Sequence, residues 1–157
     1  MTQDNSSLPI IGWREWLSIP DLGIPNIKAK VDTGARTSCI HTAGLELYTA
    51  EDGEERVKFQ VHPNQNSVKQ TIDCDWPVAT HKSVRDSGGH EEIRPFIDIP
   101  VTLGIHTWEI QFSLTNRDNM KFRMLLGRRA MENRFLVDPV GSYLSSSRPV
   151  RRKKRKA

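Results

Sequence analysis

Apolar and polar residues alternate in short runs along most of this chain, and turn residues separate one run from the next. A period of two belongs to strands with one buried face. It predicts strands over residues 10–19, 26–31, 57–62, 70–79, 94–103, 107–114, 120–126 and 135–137. Residues 37–48 also read as extended, with Gly44 marking a bulge or bend. Turns are expected at 20–25, where two prolines stand, at 51–54 and at Gly104. A short helix is expected over 128–133, after Gly127. Residues 84–92, centred on Asp86-Ser87-Gly88-Gly89, read as a polar glycine-rich loop between extended segments. Many short strands with one helix predict an all-β, barrel-like single domain.

With 157 residues the chain is long enough for one core. Residues 1–9 read as a polar, disordered leader, 10–145 as the domain, and 146–157 as a disordered basic tail. The tail changes the meaning of the net charge of +4. Seven of the 23 Lys and Arg lie between Arg148 and Lys156, and without them 16 basic residues face 19 acidic ones, a charge of −3. The body is mildly acidic, and the arm attached to it would attract polyanions such as a ribosome. Cys39 and Cys74 form no spaced pattern and read as reduced thiols. No apolar run approaches membrane-spanning length and no secretion signal is seen, so the expected location is cytoplasmic, with no membrane partner.

One stretch carries chemistry: Lys30-Val31-Asp32-Thr33-Gly34-Ala35-Arg36-Thr37-Ser38. A strand runs into a tight turn that presents one carboxylate. Gly34 lets another backbone approach closely, and the Thr33 hydroxyl can hold the turn. Alternation puts Lys28, Lys30 and Asp32 on one strand face. A second apolar element, Met124-Leu125-Leu126-Gly127-Arg128, follows later. Only one Asp-Thr-Gly is present, and no internal repeat supplies another.

These two elements resemble the signature of the retropepsins, single-domain homodimeric aspartic peptidases. Together with Gly12-Trp13-Arg14-Glu15-Trp16, Asp86-Ser87-Gly88-Gly89-His90, Leu114-Thr115-Asn116-Arg117-Asp118 and Phe135-Leu136-Val137-Asp138-Pro139, the chain is similar to the RimB-type group, often labelled ATP-dependent zinc proteases. The resemblance implies a closed barrel with a flap hairpin at residues 84–92. It implies a homodimer in which Asp32 of each subunit shares one proton and activates water, with Thr33 and Gly34 completing the catalytic turn. It further places Lys30, Arg36, Arg123 and Leu125 along the substrate cleft, with Arg85, His90 and Arg94 near the flap. Three of the cleft positions are basic, which suits an anionic substrate. The implied activity is a glutamyl-specific aspartic endopeptidase. It would hydrolyse Glu–Glu bonds in the oligoglutamate tail that the RimK ligase adds to a small-subunit ribosomal protein.

No cofactor is expected. The five histidines lack ligand-like spacing, and neither a His-Glu-x-x-His nor a Cys-x-x-Cys motif is present. No phosphate-binding Gly-rich Lys-Ser/Thr loop is seen either. Two other readings stay open beside the aspartic peptidase: a zinc metallopeptidase, and a non-enzymatic module that binds acidic tails through Lys30, Arg36 and Arg123.

Overall fold

The computed structural model describes residues 7–65, 67–85, 88–116 and 121–146. The fold is all-β with one short helix. Its strands are β1 (Ile10–Ile11), β2 (Arg14–Ile19), β3 (Ile24–Val31), β4 (Ser38–His41), β5 (Ala43–Thr49), β6 (Glu55–Val61), β7 (Ile72–Pro77), β8 (Thr80–Arg85), β9 (Glu91–Leu103), β10 (His106–Thr115), β11 (Met124–Leu126) and β12 (Leu136–Val137), with α1 (Arg128–Met131) between the last two.

Six strands close into a ring in the order β9, β10, β4, β11, β3, β2 and back to β9, and β8 extends the sheet beyond β9. Ring closure hides the edges that an open sheet would leave unpaired. The inner face is apolar because alternate residues of every strand point inward. Ile27, Ala29, Ile40, Ile97, Ile99, Phe112, Leu114, Met124 and Leu126 are all buried there. A three-stranded sheet, β5-β6-β7, adds Val57, Phe59 and Val61 to the same core.

One joint of the ring is thin. β2 meets β9 through a single register pair, Ser18 with Thr102. The segment after β12 lies along β2 beside it. Trp13 N donates to Gly141 O at 2.9 Å and Tyr143 N to Arg14 O at 3.0 Å. The fully buried Glu15 holds this strap. Its carboxylate accepts from Gly12 N, Leu144 N, Ser145 N and Ser146 Oγ at 2.7–3.1 Å. A buried carboxylate is tolerated when hydrogen bonds replace its water, as here.

The expected elements differ from the structure in four places. Residues 10–19 are two strands, because Gly12 N turns to Glu15 and Trp13 N to the strap. β8 appears where no strand was expected, between the strands expected over 70–79 and 94–103. Its side chains are mostly exposed, so β8 carries no apolar alternation and is held by backbone pairing with β9. The strand expected over 120–126 is β11 alone, residue 120 lying outside the described residues. The helix stops at Met131, and Asn133 turns at φ 62°. Residues 1–6 of the expected leader and 147–157 of the expected tail also lie outside the described residues.

Candidate functional site

Asp32 follows β3 at the point where the chain leaves the barrel. Its backbone N donates to Leu126 O at 2.8 Å, which ties it to β11. Its Oδ1 accepts from Gly34 N at 3.1 Å and Ala35 N at 3.2 Å. The carboxylate itself therefore holds the turn, as in an Asx-turn. The turn rests on the corner between β11 and α1. Arg128 N donates to Ala35 O at 2.7 Å, Arg129 N to Arg36 O at 3.1 Å, and Gly127 N to Ser38 Oγ at 2.9 Å. A Cβ on Gly127 would stand 2.4 Å from the Thr37 carbonyl, so this corner is closed to any side chain. Thr33, Gly34 and Arg36 are exposed, and Asp32 is half-buried.

Register organises the face behind Asp32 into two rows. In the first, Lys30 pairs with Arg14 on one side and Leu125 on the other; Leu125 pairs with Cys39, and Cys39 with Ser113. In the second, two residues further from Asp32, Lys28 pairs with Trp16, and His41 pairs with Thr115. Arg123 joins the second row. It precedes Met124, the partner of both Ala29 and Ile40, and its carbonyl accepts from His41 N at 2.9 Å. Met124 points into the core, so its neighbour Arg123 falls on the opposite face.

The cations on this face differ in what already occupies them. Arg14 lies over the rings of Trp13 (4.7 Å) and Tyr143 (5.0 Å) and donates to Ser142 Oγ. Lys28 Nζ donates to Gln65 Oε1 at 2.7 Å and lies 5.2 Å from the Trp16 ring. Lys30 and Arg36 are exposed, with no side-chain acceptor among the described residues. Arg123 is only 5% exposed, yet its Nε and Nη1 have no hydrogen-bond partner among the described residues. The Trp16 Nε1 is likewise buried without a partner among the described residues. Buried donors are nearly always satisfied, so these two call for an acceptor.

The expected flap cations are differently placed. β8 and β9 do form a hairpin, in which Arg85 pairs with Glu91 at 2.8 Å and Arg94 with Glu92. His90 is exposed near its turn. Arg94 also reaches back to the first row, its Nη1 lying 3.9 Å from Cys39 Sγ. Burial pushes the Cys39 thiol up, against the opposing effects of Ser113 and Arg94. Both cysteines are free and buried. Arg128 finds its own carboxylate in Glu132, at 3.6 Å. Alternation along β3 made Lys28 and Lys30 readable from the chain. Trp16 and Thr115 gave no comparable signal, because they reach this face through pairing between distant strands.

A family model matches residues 10–148: RimB-like, described as retropepsin-like aspartic endopeptidase RimB. The chain belongs to the RimB-like family. Its fold is also that of a solved protein of unknown function (DUF785), Lpg0085 from Legionella pneumophila, with a TM-score of 0.72 at 23% identity, covering 89% of this chain and 100% of that one. Curated relatives carry a different kind of name. A "Probable alpha-L-glutamate ligase" of Shewanella halifaxensis is 48% identical over 134 residues, one of Desulfotalea psychrophila 45% over 139, and one of Parasynechococcus marenigrum 44% over 134. These matches cover 85%, 88% and 85% of this chain, but it spans only 29%, 30% and 28% of those proteins.

The relatives' name corrects the activity expected from the resemblance. The RimB-like family description names an endopeptidase, whereas curated proteins at 44–48% identity are named for ligating glutamate. The assignment as a glutamyl-specific aspartic peptidase that removes glutamate tails is therefore overturned. Within the chain, the described partners of the Asp32 carboxylate are two N–H groups of its own turn. The zinc metallopeptidase falls with it. Among the described residues no group of three or more His, Cys, Asp or Glu is placed to hold a metal ion. No described helix is long and apolar enough to cross a membrane.

Proposed function

We propose that this RimB-like chain takes part in α-L-glutamate ligation as the domain that holds the acidic acceptor. The observation that carries this reading is Arg123, a buried guanidinium with two donors lacking an acceptor among the described residues, on the face that also bears Lys28 and Lys30. A carboxylate is the partner that such a fork fits, in one or two charge-assisted hydrogen bonds. Lys30 and Arg36 extend the same positive field toward Asp32, where an acidic chain end gains attraction without first breaking an ion pair. The name of the relatives supports glutamate as the source of that carboxylate.

In this reading residues 10–145 form the unit, a closed barrel of retropepsin type, and the β8–β9 hairpin is a flap over the bound chain. Thr33 and Gly34 shape the turn at its end, Leu125 packs beside Lys30 in the first row, and Arg85, His90 and Arg94 line the rim. The acceptor is a glutamate-tailed ribosomal protein in the cytoplasm. The basic tail steers the chain toward the ribosome, and two copies pair through the faces that carry Asp32.

Calorimetric titration with penta-α-glutamate and penta-α-glutamine tests the reading. We expect the glutamate peptide alone to bind, with affinity falling as salt rises and dropping about tenfold in Lys30→Gln or Arg36→Gln. Equal binding of the two peptides would remove the reading. So would release of free glutamate from the peptide by the chain alone, because a domain that only holds the acceptor cleaves nothing.

A further inference from the structure

The two rows behind Asp32 have a spacing, and a ligand laid along β3 would have to match it. Lys30 and Lys28 are two residues apart on one strand face, so their rows stand about 6.7 Å apart. An extended peptide repeats its side chains on one side at the same pitch, every second residue. The first row offers Lys30, with Leu125 and Cys39 beside it. The second offers Lys28 between two residues with unsatisfied buried donors, Trp16 Nε1 and Arg123 Nε and Nη1. Asp32, the next residue on the face in the other direction, is an acid and ends the cationic run.

We infer that the second row is an anion recess of its own, and that the two rows together read an extended acidic chain at alternate residues. This rests on the proposed binding of glutamate chains and adds to it a register. One carboxylate is taken at Lys30, and the second residue along from it places another at Trp16, Lys28 and Arg123. The residue between them faces away from the barrel and is not read. The shortest segment recognised in full is therefore three residues long, with acids at its two ends. The Gln65 amide that now accepts from Lys28 Nζ gives way to the incoming carboxylate, a neutral acceptor replaced by a charged one.

Capped tripeptides separate this inference from the reading beneath it. We expect Glu-Ala-Glu to bind the full chain within about threefold of Glu-Glu-Glu, and Glu-Glu-Ala about tenfold more weakly, since it loses one charge-assisted contact. In Lys28→Gln the Glu-Ala-Glu peptide should fall to the level of Glu-Glu-Ala. Nitrogen NMR of the indole gives a second readout: the Trp16 Nε1–H resonance should move with Glu-Ala-Glu and stay still with Glu-Glu-Ala. Equal affinity for the two peptides overturns the alternate-residue register while leaving glutamate binding intact. Absence of binding by all three overturns both.

Discussion

Arg123 is the residue whose physics is least comfortable in the unliganded chain. Its guanidinium is buried, charged, and missing acceptors at Nε and Nη1 among the described residues. An unmet buried donor costs about 1–3 kcal/mol, and an apolar side chain of similar length avoids that cost. We expect Arg123→Met to raise the unfolding free energy by about 1–2 kcal/mol in a urea titration while weakening glutamate-peptide binding about tenfold. Such opposed changes belong to a group kept for its ligand. Loss of stability in this variant would instead mean that the guanidinium is paired in the folded chain. The residue itself was readable in the sequence, through the Leu-Leu-Gly element. Its isolation was not, because burial depends on strands far away in the chain.

The corner that carries the Asp32 turn works as one element. β11 ends at Leu126, Gly127 turns against the Thr37 carbonyl, and α1 receives the turn through Arg128 N and Arg129 N. Two glycines here have different jobs. A Cβ at Gly34 meets only Asp32 Oδ1, at the ordinary contact distance of 3.4 Å, whereas one at Gly127 meets backbone at 2.4 Å. Gly127→Ala should therefore cost about 3 kcal/mol and Gly34→Ala under about 1 kcal/mol, compared by thermal unfolding. Equal losses would mean that the corner yields more easily than its contacts suggest. The strands that bury a face were legible as alternation, and the turns at Gly53 and Gly104 as glycine signals. β8 was not, since an edge strand held only by backbone pairing leaves little trace in side-chain pattern.

At the scale of the molecule the barrel depends on its thin joint. With one register pair between β2 and β9, the strap around residues 141–146 supplies the contacts that the ladder lacks. Glu15 fastens it with four accepted hydrogen bonds. Glu15→Gln keeps the shape but sets an N–H₂ against donors, and we expect about 3 kcal/mol of lost stability. Hydrogen exchange should show the loss as faster opening at the amide of Trp16, which donates to Ser146 Oγ at 2.8 Å. Unchanged exchange there would mean that the strap is not what closes the ring. Nothing in the serine run 145–147 announces that Ser146 bonds a strand 130 positions earlier.

By itself the sequence determined what short range can encode: which stretches alternate, where glycine permits a turn, the cations that flank Asp32 along β3, and the motifs that place the chain in its family. Tertiary structure decided the rest. Strand pairing, not spacing along the chain, brought Trp16, Lys28, Arg123 and His41 into one row. Burial then took water from Arg123 and Trp16 without supplying acceptors among the described residues. Register and desolvation are properties of strands meeting, and no single stretch of chain contains them.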